Sequence, residues 1–261
     1  MSVDFRKAFD SVIPNFLYKV MEKMGFPMKF ISLIRLIDNK AVARVIINGA
    51  LSEYIAIDRG SRQGDPLSMS KFMIALNPLL VALNENRNIT KFKSFCNREF
   101  LTLAKADDLT VVVHFLSSLL YVRHDILRFQ LASGLEMNVN KTKGLFFNKT
   151  NSHKIENLPF NNWNKNLVIL GIPYGSSKFI KDFWGEKFRI FDEEVSYFSS
   201  FKYMTYQAKA IISKSKLMPK ISYLGSVLPI PNDIRTKIDD RLLKLVVPHK
   251  KNFFECSELK C

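Results

Sequence analysis

Phe100-Leu101-Thr102-Leu103-Ala104-Lys105-Ala106-Asp107-Asp108-Leu109-Thr110-Val111-Val112-Val113 is the stretch that decides how this chain is read. Two short apolar runs, the second rich in β-branched residues, flank a pair of acids, a pattern that predicts strand, tight turn, strand. Such a hairpin carries Asp107 and Asp108 at its tip. Adjacent carboxylates repel one another and resist dehydration beside buried strands, so a cation is the partner that most readily keeps them together. Carboxylate oxygen is what Mg²⁺ accepts, with water and substrate phosphates filling its remaining positions. Taken alone, the pair reads better as a solvated acidic turn. Its surroundings have to decide.

Upstream, the sequence Asp4 to Phe9 suits the end of a strand, Asp10 or Ser11 offers a helix N-cap, and Pro14 suits a first helical position. Leu17, Val20, Met21 and Met24 then share one helical face that Gly25 ends. A second helix is expected after Pro27, with Phe30, Leu33, Ile34 and Ile37 on its inner stripe. Strands are expected at Val42 to Ile47 and Tyr54 to Ile57, with Asn48-Gly49 as a turn between them. The polar loop Asp58 to Pro66 leads into a helix over about 67–83 that Pro78 should kink. Downstream of the hairpin, a helix over about 116–132, a strand near Gly144 to Phe147, a connector over 148–166 and a strand at Val168 to Leu170 follow. Beyond Ser176 the pattern is mostly helical, with breaks at Pro219, Pro229 to Pro231 and Pro248. The organisation is mixed α+β to residue 175, followed by an α-rich region over 176–261.

An apolar content of 47% supports a real core, and a formal net charge of +15 favours polyanionic partners, nucleic acid before an anionic membrane face. The excess is distributed, +5 over residues 1–139, +4 over 140–175 and +6 over 176–261, unlike a basic tail on a neutral domain. No run approaches the roughly 18 apolar residues of a membrane span, so no membrane partner is expected. Three cysteines, Cys96, Cys256 and Cys261, read as free thiols in a reducing, intracellular setting, nucleus or cytoplasm.

Five motifs in order resemble those of the reverse transcriptases of LINE-type non-LTR retrotransposons. Asp4-Phe5-Arg6-Lys7-Ala8-Phe9-Asp10 resembles the first catalytic block, and Arg59-Gly60-Ser61-Arg62-Gln63-Gly64-Asp65-Pro66-Leu67-Ser68 the second. Ala106-Asp107-Asp108 resembles the metal-binding hairpin, the run Ser133 to Thr142 the fourth block, and Leu170-Gly171-Ile172-Pro173-Tyr174 the primer-grip hairpin. The resemblance implies a polymerase palm over 1–175, an antiparallel sheet backed by helices, and a helical thumb over 176–261. It implies two Mg²⁺ ions, replaceable by Mn²⁺, held by Asp4, Asp107 and Asp108, with Lys141 near the leaving pyrophosphate. It also implies Phe9 as the ring that excludes ribonucleotides, although a core phenylalanine reads as well. Gly60, Gln63 and Gly64 would line the template and nucleotide, and Arg62, Lys202, Lys209, Lys214 and Lys216 would meet the nucleic-acid backbone. An RNA template, a DNA primer and deoxynucleoside triphosphates are the implied partners. Asp10 reads better as a helix cap than as a ligand.

The chain departs from the family in three respects. Only Met1, Ser2 and Val3 precede Asp4, so the fingers are expected to be largely missing and the strand bearing Asp4 to be frayed. Lys105 stands where the family usually has an apolar or aromatic residue and would compete with a cation for the acids. Endonuclease, RNase H and Cys/His-knuckle segments are not expected. These departures weigh against activity of the isolated chain. They favour the alternative of an inactive basic remnant that binds RNA or RNA–DNA hybrid. A group II intron maturase is the lesser third reading.

Overall fold

The computed structural model describes residues 1–60, 64–94, 96–146, 163–201 and 203–247. The chain folds as two compact units, Met1–Asn164 and Lys165–Cys261.

In the first unit β1 (Ser2–Val3) runs into the four-residue helix α1 (Ala8–Ser11), then α2 (Pro14–Lys23) and α3 (Met28–Asp38). Pro14 occupies the start of α2 as its locked φ and missing N–H favour, but the cap is Ile13, with no side-chain hydrogen bond. The expected capping role of Asp10 and Ser11 is therefore corrected: both lie inside α1, and the Ser11 hydroxyl faces back on the Arg6 and Lys7 carbonyls at 3.0 and 2.9 Å. On α2, Leu17, Tyr18, Val20 and Met21 are buried as the periodicity demands, while Met24 at the helix end is exposed. On α3 the inner stripe is rotated from the expected one. Ile31 and Ile34 are buried, whereas Phe30, Leu33 and Ile37 face outward. Most residues of this helix are apolar, so periodicity alone could not fix the face.

The segment read as two strands forms two nested hairpins from four: β2 (Val42–Ala43), β3 (Ile46–Ile47), β4 (Ala50–Leu51) and β5 (Ile55–Ala56), paired β2 with β5 and β3 with β4. Asn48 and Gly49 both have positive φ, 50° and 82°, the requirement of a type I′ turn. Helix α4 (Ser68–Glu85) continues through Pro78 and buries Phe72, Ala75, Leu76, Leu79 and Leu83. Strands β6 (Phe92–Lys93) and β7 (Glu99–Phe100) pair with each other.

The acidic hairpin is β8 (Thr102–Lys105) and β9 (Asp108–Val111), joined by Ala106-Asp107. Ala106 alone has positive φ, 54°, as at the first central position of a type II′ turn. Strand β9 pairs β8 on one edge and β1 on the other, giving the order β1-β9-β8. The segment over residues 1–6 that carries β1 is also bonded along its opposite edge: Ser2 and Lys143 exchange N–H to C=O bonds of 2.7 and 3.0 Å, Asn138 donates to Asp4 at 2.7 Å, and Arg6 donates to Glu136 at 2.8 Å. The frayed strand expected from its position is thus corrected. It is sandwiched, and Val3 and Phe5 are 1% and 5% exposed. The unit is completed by α5 (Ser118–Ser133), which Gly134 ends in the left-handed conformation, and by β10 (Gly144–Leu145), paired in parallel with β11 (Trp163–Asn164). One core joins sheet and helices through Val3, Phe5, Leu109 and Val111 against residues of α2, α4 and α5. At about 1.5–3 kcal/mol for each large apolar side chain buried, this contact is what holds the strand carrying Asp4 in place.

In the second unit, β12 (Leu167–Ile169) and β13 (Ile172–Tyr174) form a hairpin whose turn residues Leu170 and Gly171 both have positive φ. Helix α6 (Ser177–Ser199) follows, capped by the Ser176 hydroxyl accepting from the Phe179 N–H at 3.2 Å. Then come α7 (Tyr206–Ile212), a π-helical segment (Ser213–Leu217), α8 (Met218–Gly225) and α9 (Asn232–Val246). The expected break at Pro219 is corrected: helical backbone runs through it. Before the proline the ladder shifts to i→i+5, with Met218 N–H donating to Ser213 C=O. Trp184, Phe191, Leu217, Ile221, Leu224, Ile234 and Ile238 form a separate core. No helix among the described residues is long and apolar enough to cross a membrane.

Candidate active site

The antiparallel register Ser2↔Thr110 and Val3↔Leu109 puts Val3 and Leu109 on the core face of the sheet. Side chains alternate along a strand, so the next step of this register carries Asp4 and Asp108 on the opposite face. Across the hairpin, Asp108 pairs with Lys105. The electrostatics agree. The Asp108 carboxyl is held above its usual range by partial burial first, then by the negative charges of Asp107 and Asp4, with Lys105 pulling the other way. Asp4 is anchored at both backbone ends, its N–H donating to the buried Thr142 hydroxyl at 3.3 Å and its C=O accepting from Asn138.

Asp4 and Asp107 open onto one cleft of about 1000 Å³. Its walls also carry Arg6, Lys7, Phe9, Asp10, Arg59, Gly64, Glu136, Asn138, Asn140 and Lys141. Four carboxylates, of Asp4, Asp10, Asp107 and Glu136, therefore share a concavity with four cationic side chains, an arrangement that suits a polyphosphate with associated cations. Among the described residues, no three His, Cys, Asp or Glu side chains come together closely enough to hold a metal ion by themselves.

Phe9 is half-buried. Its ring lies 5.0 Å from that of Phe72 while one side lines the cleft, so the core and cleft readings of this residue coexist. Gly60 and Gly64 differ. A Cβ on Gly60 would stand 2.3 Å from the Phe9 carbonyl oxygen and 2.4 Å from the Asp10 Cα, whereas one on Gly64 would meet nothing within 4 Å. Glycine at 60 is demanded by the chain's own backbone, and Gly64 faces the open cleft. Lys7 adopts left-handed geometry, φ 43° and ψ 48°, at the entry to α1, a strained conformation for a lysine at the cleft wall. Arg62, Gln63 and Lys202 lie outside the described residues, while Lys209, Lys214 and Lys216 lie on α7 and the π-helical segment. The sequence reading missed Arg6, Lys7, Glu136, Asn138 and Asn140 as cleft residues. All five stand within the first and fourth blocks, where strand alternation beside Asp4 was the available signal.

The sequence matches the family described as reverse transcriptase (RNA-dependent DNA polymerase) over residues 1–177, more than half of the chain. It is 30% identical over 159 residues to the uncharacterized 149 kDa protein of transposon TX1 from Xenopus laevis, covering 61% of this chain and 12% of that protein. It is 31% identical over 112 residues to a retrovirus-related Pol polyprotein from the type-1 retrotransposable element R2 of Popillia japonica, covering 43% of this chain and 18% of that protein. The chain thus spans less than a fifth of the length of these relatives.

Proposed function

The chain belongs to the reverse transcriptase family, and we propose that it is the RNA-directed DNA polymerase domain of a non-LTR retrotransposon protein, adding deoxynucleotides to a primer 3′-end on an RNA template. One observation carries this reading: Asp4 and Asp107, distant in sequence, face a single cleft lined with Arg6, Lys7, Arg59 and Lys141. The donor set is oxygen only, which fits Mg²⁺, with Mn²⁺ as a substitute. Two carboxylates with a third beside them suit cations whose shells are completed by water and substrate phosphates. Asp4 and Asp107 would hold two such ions, with Asp108 supporting the pair from the strand, and the ions would supply neutralisation of the charge developing on the transferred phosphoryl group and activation of the 3′-hydroxyl. The cationic side chains balance the triphosphate, Lys141 acting at the leaving pyrophosphate electrostatically or as a proton donor. Phe9, backed by Phe72, would stand against the sugar and exclude a 2′-hydroxyl. Gly64 lets backbone approach the nucleotide, and Gln63 and Arg62 take the template and phosphate roles the motif implies. Residues 1–175 serve as palm and 176–261 as thumb, where Lys202, Lys209, Lys214 and Lys216 track the nucleic-acid backbone.

Primer extension on an RNA template with Mg²⁺ or Mn²⁺ tests this reading. Product should form with the parent chain and vanish in Asp107→Ala, and equal product in the variant would remove the metal role. A second reading, a non-catalytic basic module for RNA or RNA–DNA hybrid, is favoured by Lys105 standing opposite Asp108. It expects no extension by either chain, and binding indifferent to Mg²⁺ and to Asp107→Ala but steeply weakened by salt.

A further inference from the structure

Among the described residues, four of the five exposed aromatic side chains of the second unit fall within ten positions. Tyr197, Phe201, Tyr203 and Tyr206 are 61, 44, 98 and 62% exposed. The fifth, Tyr223, has its hydroxyl committed to the Leu170 carbonyl. Tyr197 stands edge-on to Phe201 at 5.2 Å, and Lys216 lies 5.0 Å over the neighbouring Phe198 ring. Tyr206 begins α7, whose N-terminus is fixed by the Thr205 hydroxyl accepting from Ala208. Lys209 follows three positions later on the same helical face.

The charge around these rings is one-sided. No Asp or Glu occurs between Glu194 and Asp233. Four of the five acids of α6 are engaged, Glu186 and Glu193 with Arg189, Glu194 with Lys220, and Asp192 with Arg241, and the fifth, Asp182, stands in the first half of the helix, fifteen positions before Tyr197. Lys209, Lys214 and Lys216 form no ion pair among the described residues. Rings held open to solvent beside uncompensated ammonium groups complement a ligand with free aromatic faces and a phosphate backbone. A duplex hides its base faces in the stack, whereas a single strand offers them.

We propose that this aromatic and basic surface binds unpaired nucleotides of a single strand, with Tyr203 and Tyr206 stacking on bases and Lys209, Lys214 and Lys216 meeting phosphates. The proposal deepens the nucleic-acid reading of the chain but requires no catalysis. The test is fluorescence anisotropy of the whole chain with a labelled RNA of about 20 nucleotides, the DNA of the same sequence, and a blunt RNA duplex. Tyr203→Ala with Tyr206→Ala should weaken both single strands about tenfold or more and the duplex less than about twofold. Tyr203→Phe with Tyr206→Phe should bind as the parent does, because stacking needs the ring and not the hydroxyl. Changing Lys209, Lys214 and Lys216 to Gln should lower the salt slope for a single strand by about 2. Asp107→Ala should bind like the parent, so failure of the polymerase reading leaves this result untouched. No binding, equal losses on duplex and single strands, unchanged affinity in the double alanine variant, or stronger capture by phosphatidylserine vesicles than by RNA would overturn the proposal.

Discussion

Val3 is paired with Leu109 across the antiparallel β1–β9 ladder, both side chains buried. The pairing places the aspartates that follow Val3 and precede Leu109 on the opposite face. The consequence for Asp108 is a raised carboxyl pKa, caused by burial and then by Asp107 and Asp4. A carboxyl whose pKa is raised in the folded state binds protons better folded than unfolded, so it destabilises the fold as pH rises through that window. Asp108→Asn should therefore melt at a higher temperature than the parent at pH 7 without divalent ions. That gain should disappear below the ordinary carboxyl value of 3.8, where both states are protonated. Thermal denaturation across pH checks it, and a pH-independent difference would rule it out.

The two glycines of the second block separate structural from functional need. At Gly60 an alanine Cβ meets the backbone of Phe9 and Asp10 at 2.3–2.4 Å, with φ at +68°, so Gly60→Ala should cost about 2–5 kcal/mol in urea unfolding. Gly64→Ala has open space and only the penalty of φ +91°, about 1–2 kcal/mol. It should lower affinity for nucleotide more than it lowers stability.

A part-buried ion pair ties α3 to α4. Lys71 Nζ lies 2.5 Å from Asp38, which also accepts from the Tyr18 hydroxyl at 2.9 Å. Burial, then the hydrogen bond to Asp38, pushes the Tyr18 pKa upward. Lys71→Met leaves Asp38 without its cation and should cost about 3 kcal/mol, while Lys71→Met with Asp38→Asn should recover much of it. A double-variant cycle by urea denaturation measures the coupling, and additive losses would show that the pair is not coupled.

Much of this was legible in the residues themselves. The acidic hairpin, the Pro14 helix start, the Asn48-Gly49 turn and the Gly134 stop each have a local cause, and each stands where the pattern put it. What could not be read required partners distant in sequence. Whether Asp4 sat on a frayed end or in a sandwiched strand depended on Lys143 and Asn138 bonding its far edge. The buried face of α3 depended on the helices around it, because its sequence is apolar on most sides. The reason for Gly60 depended on the approach of the Phe9–Asp10 backbone. Lysine at 71 carried no sequence signal for its ion pair, since Asp38 lies on another helix.

The polymerase reading rests on Asp4 and Asp107 holding divalent cations jointly with substrate phosphates. Mn²⁺ binding, followed by electron paramagnetic resonance with and without deoxynucleoside triphosphate and an RNA-templated primer, decides it. Because no three acids among the described residues enclose a site unaided, the free chain should bind Mn²⁺ weakly and the ternary mixture much more tightly. That enhancement should be lost in both Asp4→Ala and Asp107→Ala. Enhancement that survives either substitution would refute the shared metal role of the two carboxylates.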